Sequence, residues 1–386
     1  MSYKYLLDIA LILLSTKLLG LVTRKFNLPQ VVGALLAGVI LGPAALNILN
    51  ETDFISTMAE IGVIVLMFTA GLESDVRQLK SNWKESLLIA SMGVLIPLIG
   101  GTIIAYIFND GSLTTTSELL QNLFIGTILT ATSVSITVEA LRELGKITEK
   151  SASVIMGAAI LDDILGIVVL TILTSMADES VNVSVVLIKI IAFFAFAFII
   201  GYLIYIFFNK WVDKYNLDKR RFVIAAFVVC LLLAFSAEEF FGVADITGAF
   251  IAGVVLSRNK ETEYIANRFS IMSYMLLSPI FFASIGINMT IPSLDKSIIL
   301  LTIALVLMAM LSKIIGCGLS AKLCKYSKKE SIQIGVGMMA RGEVALIIAN
   351  KGMKLGIMNT FFLPSIIIMV ITTAILTPIF LKRVYK

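Results

Sequence analysis

The sequence predicts an all-α polytopic membrane protein of about 13 transmembrane helices, arranged as an inverted-topology repeat with two crossing discontinuous helices. Three observations predict it. Hydrophobic residues make up 58% of the 386 and charged residues only 15%, with a mean hydropathy of +0.98, which excludes a soluble globular protein of this length. Apolar runs of membrane-crossing length recur along the whole chain. Two phrases of the first half also reappear in the second half at one shared spacing.

The apolar runs, bounded by polar breaks, fall at 4–23, 28–43, 54–72, 85–108, 119–138, 151–176, 182–208, 220–237, 242–257, 264–286, 297–321, 331–350 and 360–381. The first carries Lys17 and is followed by Arg24 and Lys25 without a small-residue cleavage site, so it is expected to stay as a helix. The third has Glu60 and Glu73 toward its opposite ends, each readable as an interfacial acid or as a place on an ion path. The fifth contains TILTATSVSIT (127–137), a cluster of hydroxyl and β-branched residues, and Glu139 at its end reads as an interfacial charge. The sixth contains AAILDDILGIVVL (158–170), with no other charge between Ser151 and Met176. In the seventh, Lys189 lies near one end, as Lys17 does in the first, and both read as snorkelling side chains. The eleventh carries Lys313 in an otherwise uncharged run, and the twelfth contains GVGMMARGEV (335–344), three glycines beside Arg341 and Glu343. The fifth and twelfth are therefore the candidates for broken helices, because unwound backbone at membrane depth needs hydroxyls, charges or ions as partners.

Basic residues orient the spans. The segments after the odd-numbered spans, from the first to the eleventh, together with the C-terminal tail hold 23 of the lysines and arginines, and the opposite side holds only Lys4, Lys296, Lys351 and Lys354. The positive-inside rule then puts the N-terminus outside and the C-terminus in the cytoplasm. The net charge of +5 is thus a property of inward-facing loops, with no nucleic acid implied. Cys230, Cys317 and Cys324 lack metal or redox spacing and read as small packing residues. The chain has no histidine, so proton chemistry falls to carboxylates or lysines tuned by their surroundings.

GALLAGVIL from Gly33 and GAFIAGVVL from Gly248 agree at six of nine positions. MFTAGLESD and FFASIGINM form a second pair, and Gly33 to Gly248 and Gly71 to Gly286 are both separations of 215. That spacing covers seven spans, an odd number, so the second copy enters the membrane from the other side. Spans 1 to 6 (about 4–176) then match spans 8 to 13 (about 220–381), with the seventh (182–208) as connector. Inverted repeats of this kind characterise secondary transporters, whose sites lie near the midplane where discontinuous helices meet.

Asp162 lies about 17 Å along its helix from Ser151, near the middle of a bilayer core. Two acids at that depth cost roughly 5 to 7 kcal/mol unless compensated. Adjacent helical residues point about 100° apart, so one acid can bind a cation while the other pairs with a fixed base. Lys313 needs a carboxylate, and Asp162 is the candidate. Arg341 and Glu343 either pair with each other or offset the ends of the broken helices.

With DD in the sixth span, Lys313 in the eleventh, TATS in the fifth and ARGE in the twelfth, the sequence resembles the monovalent cation/proton antiporters of the second cation:proton antiporter family, with the NhaA/NapA-type fold. MFTAGLESD, ITGAFIAGVVLS and ARGEVALI look typical of it too. The resemblance implies that Asp163 carries the cation and proton, so that Na+ would bind there. It makes Asp162 the partner of Lys313 and places Thr130, Thr132 and Ser133 at the unwound crossing, where their oxygens complete the cation shell. Arg341, Glu343 and Glu73 are supporting charges. The sister family has asparagine before the aspartate, and Asp162 argues against that branch. A further hydroxyl found before the acids in relatives is replaced here by Ala158 and Ala159. Members work as homodimers in which a core bundle moves against a dimerisation bundle that includes the first helix.

The expected function is exchange of Na+, or alternatively Li+ or K+, for H+ across the plasma membrane, electrogenic and elevator-like. Its partners are monovalent cations, protons and the lipid bilayer, with no cofactor. An organic-anion/sodium symporter on the same scaffold is the closest rival, and a cation channel is another. An intramembrane aspartyl protease needs carboxylates facing each other from separate helices, which sequence neighbours do not supply.

Overall fold

The computed structural model describes residues 3–25, 30–74, 76–109, 116–177, 183–214, 219–288 and 295–386. Among these the regular structure is helical: α1 (Lys4–Lys25), α2 (Gln30–Leu41), α3 (Asp53–Glu73), α4 (Val76–Ser81), α5 (Trp83–Phe108), α6 (Thr116–Thr130), α7 (Val134–Glu143), α8 (Lys150–Ala177), α9 (Val183–Lys214), α10 (Arg220–Phe235), α11 (Asp245–Leu256), α12 (Thr262–Met272), α13 (Ser278–Ile287), α14 (Lys296–Leu323), α15 (Lys328–Gly337), α16 (Glu343–Lys354) and α17 (Leu363–Val384). π-helical turns at Ser236–Phe240 and Ser273–Leu277 extend α10 and join α12 to α13.

Among the described residues, ten helices or joined helix pairs are long and apolar enough to cross a membrane, fewer than the thirteen apolar runs. The second and ninth runs form α2 and α11, of 12 residues each. At 1.5 Å per residue such a helix reaches about 18 Å, short of the roughly 30 Å hydrocarbon core. The twelfth run forms two short helices, α15 and α16, around an interruption. Hydropathy registers an apolar run whatever its backbone does, so it counts short and broken segments as full spans.

The helices sort into two bundles. In one, α5, α6, α8, α14, α15 and α17 pack on each other, and α7 lies against α17. In the other, α1, α2, α3 and α10 to α13 pack together. The second bundle is held by close helix crossings at the glycines of the repeated phrases. A Cβ on Gly38 of α2 would lie 2.0 Å from the Ala283 carbonyl oxygen of α13, and one on Gly286 would lie 2.5 Å from the Val39 nitrogen. A Cβ on Gly253 of α11 would lie 2.2 Å from the Phe68 carbonyl oxygen of α3, and one on Gly71 would lie 2.3 Å from that of Phe250. Only glycine allows backbones this close. The two crossings exchange under the spacing of 215, since Gly38 maps to Gly253 and Gly71 to Gly286.

Local signals set some of the helix starts. Thr52 accepts a bond from the Ile55 N–H at 3.3 Å, capping α3. Ser327 and Glu330 form a reciprocal capping box at the start of α15, with bonds of 3.2 and 2.8 Å.

Candidate functional site

Both expected helix breaks occur. α6 stops at Thr130 and α7 starts at Val134, while α15 stops at Gly337 and α16 starts at Glu343. The two interruptions touch. The Ser133 N–H donates to the Ala340 carbonyl at 2.9 Å, and the Thr137 hydroxyl donates to the Gly337 carbonyl at 2.7 Å. A Cβ on Gly342 would sit 2.7 Å from Ser133 Oγ, so the chain passes there only without a side chain.

Unwinding leaves carbonyls that lipid cannot satisfy. The fully buried Arg341 answers them: Nη1 donates to Met338 and Met339 at 3.3 Å each and to Ala340 at 3.4 Å, while Nη2 reaches Ala309 of α14 at 3.2 Å. Its own backbone N–H donates to Thr373 Oγ1 of α17 at 3.2 Å. Of the two readings of Arg341, the guanidinium thus takes up the end of a broken helix, where a positive charge meets the negative end of the α15 dipole. The side chain of Glu343 lies outside the described residues.

α8 is uninterrupted across the acids and packs on α5, α6 and α15. Asp162 Oδ1 accepts from Lys313 Nζ at 2.6 Å, and the two side chains are 1% and 0% exposed. An ion pair this dry holds only with close geometry, since both charges have lost their water. Gly93 of α5 supplies the room: a Cβ there would lie 3.3 Å from both Asp162 Oδ1 and Lys313 Nζ, and 2.8 Å from Cys317 Sγ. Asp163 is half-buried beside the pair.

Two oxygens at the site, Asp162 Oδ2 and Thr132 Oγ1, are buried without a hydrogen-bond partner among the described residues. The Thr130 hydroxyl donates to the Thr127 carbonyl at 2.7 Å, leaving its lone pairs as acceptors, and Ser133 and Ser135 hydroxyls meet at 3.2 Å. Carboxylate, hydroxyl and carbonyl oxygens are the donors that a hard cation such as Na+ takes.

Glu73 lies elsewhere. It accepts from Arg142 at 3.3 Å, and Arg142 also bonds Glu139 at 3.1 Å. Arg142 is nine residues beyond Ser133, about 13 Å along α7. Lys17, read as snorkelling, holds its Nζ 3.3 Å from the centre of the Tyr274 ring. The residues that sequence reasoning missed are Gly93, Cys317 and Thr373, which carry no charge and sit in ordinary apolar runs. Thr137 fell within the hydroxyl cluster without being singled out.

Residues 10–386 match the family model described as sodium/hydrogen exchanger, transmembrane. The Na(+)/H(+)-K(+) antiporter GerN of Bacillus cereus is 36% identical, over 100% of this chain and 97% of its own. The Na(+)/H(+) antiporter of Enterococcus hirae is 32% identical over 98% and 97%. Among solved structures, the sodium proton antiporter MjNhaP1 from Methanocaldococcus jannaschii at pH 8 superposes with a TM-score of 0.68 at 21% identity, covering 98% of this chain and 94% of that one, a likeness that shows the fold. Full-length agreement in sequence and in fold, around a buried charge pair at two interrupted helices, makes the chain a member of the sodium/hydrogen exchanger family.

Proposed function

We propose that this protein exchanges Na+ for H+ across the cell membrane by letting the two ions compete for Asp163. The observation that carries the reading is the dry Asp162–Lys313 pair next to Asp163, on a helix packed against the interrupted pair. A carboxylate shared by proton and cation gives antiport if the empty, charged site is too costly to carry across the lipid. Thr130, Thr132 and Ser133 supply oxygens to the cation, and Thr132 Oγ1, buried without a partner among the described residues, is the foremost of them. Asp162 is held by Lys313, and its release coupled to the lysine's proton makes the exchange electrogenic.

The reciprocal glycine crossings support an inverted repeat of α1–α8 and α10–α17, with α9 as connector, and a thirteen-segment count in which α2, α11 and the α6–α7 and α15–α16 pairs are the short or broken members. The two bundles support an elevator-like motion, with the one holding the ion pair moving against the other in a homodimer. The two adjacent aspartates favour the NapA-like branch over the one with asparagine at 162. The charge distribution of the loops favours an N-terminus outside and a C-terminus in the cytoplasm. K+ is the second reading, favoured by the name of the 36% identical relative, a Na(+)/H(+)-K(+) antiporter.

Proteoliposomes with a pH dye inside test this. Addition of Na+, Li+ and K+ in turn should move protons with the wild type and not with Asp163→Asn. Full cation-driven proton movement in that variant would reject the assignment, and the order of the three cations decides between the Na+ and K+ readings.

A further inference from the structure

Polar contacts between the two bundles are made at one end of α7 by Arg142 and Glu143, and Ser74 at the end of α3 meets Met156 Sδ of α8 at 3.8 Å. Arg142 bonds Glu139 of its own helix at 3.1 Å and Glu73 at the end of α3 at 3.3 Å. Glu143 accepts from the backbone N–H groups of Gln30 and Val31, the latter at 2.9 Å. Those are the first two residues of α2. Both α2 and α3 belong to the other bundle. Gln30, Val31 and Glu143 themselves line a cleft together with Lys17, Tyr274 and Ser278.

The first N–H groups of a helix have no partners within it, and a residue just before the helix normally caps them. Here the cap for α2 comes from a carboxylate 112 and 113 residues away, on the opposite bundle. The cap therefore exists only while the bundles stand in this arrangement. A shift of one bundle by a few ångströms removes both it and the Arg142–Glu73 bond, and water can take over at this end of the molecule. Both contacts are charge-assisted, strong enough to favour one arrangement and weak enough to be replaced by hydration.

We propose that Arg142 and Glu143 form the cytoplasmic latch of the transport cycle, holding the inner end of the ion path shut until the bundle that carries the ion pair moves. The inference rests on the antiport reading and on the inward orientation of this end. Neutralising Glu143 shifts the balance toward the inward-open arrangement.

The test uses inside-out vesicles and a chain in which Cys324, the cysteine that is not fully buried, is replaced by serine, with Ser278→Cys as reporter in the cleft. Adding Glu143→Gln should raise the rate of labelling by a membrane-impermeant maleimide by roughly five- to a hundredfold, the span of a typical coupling between states. Na+-driven proton movement should persist, with a lower apparent KM for Na+ at the cytoplasmic face. An unchanged labelling rate together with a lowered Tm would mean that Glu143 is a static helix cap and would overturn the proposal. In a second arm, Gln30→Cys with Glu143→Cys is oxidised to a disulfide, which should stop exchange until a reductant is added. Undiminished exchange in the cross-linked protein would also overturn it. Failure of the antiport reading looks different: the wild type itself would move no protons with any cation, while the labelling comparison would still report on the latch.

Discussion

Replacing Lys313 with methionine keeps the length of the side chain and removes its charge, leaving Asp162 as a buried acid without its partner. At 2.6 Å the pair attracts by about 6 kcal/mol at an effective dielectric of about 20, before both groups' loss of hydration is subtracted. Removing one partner of such a pair costs about 3–5 kcal/mol, because the other's loss of hydration is no longer offset. At about 2 °C per kcal/mol for a long chain, Lys313→Met should lower the Tm in detergent by roughly 6–10 °C at a fixed scan rate. Adding Asp162→Asn removes the stranded charge, and the double variant should recover more than half of that loss. The cycle of single and double substitutions isolates the coupling, expected at about 2 kcal/mol or more. If the two single effects add to within about 0.5 kcal/mol, the pair contributes no interaction and the reasoning is wrong.

Lys313→Gln should also leave cation-driven proton movement with a weakened response to membrane voltage, and an unchanged response would remove the lysine's proton from the cycle. Gly253→Ala places a methyl group 2.2 Å from the Phe68 carbonyl oxygen, so it should cost at least about 1–3 kcal/mol and lower the yield of folded protein. Gly166→Ala, where a Cβ meets nothing within 4 Å, is its control and should be neutral or slightly stabilising. Thr137→Val leaves the buried Gly337 carbonyl without its donor and should cost about 1–3 kcal/mol in thermal unfolding, with most of it restored by Thr137→Ser. Arg341→Lys keeps the charge but lacks the planar fork that reaches three carbonyls of the interrupted segment and one of α14, so it should still reduce exchange severely. Wild-type rates in Arg341→Lys would show that charge alone suffices there.

The amino-acid sequence by itself determined that this chain lives in a bilayer, that Asp162, Asp163, Lys313 and Arg341 are its costly residues, and that the helix breaks fall within 127–137 and 335–344. Those features were legible because lipid makes each charge and each unpaired backbone group expensive, so their presence in an apolar run is a local signal. It also nominated Asp162 as the partner of Lys313, although periodicity alone left either acid able to face a base. Only the tertiary structure decided that Oδ1 of Asp162 meets the lysine, that Gly93 leaves room for the pair, and that Arg341 turns to the carbonyls of its own broken segment. It also decided that α2 and α11 stop short of a full span, that Glu73 pairs with Arg142, and that Glu143 caps a helix more than a hundred residues away. Each of these depends on which helices lie side by side. A backbone carbonyl, a glycine or a helix end carries no mark in the sequence of the distant group that will reach it.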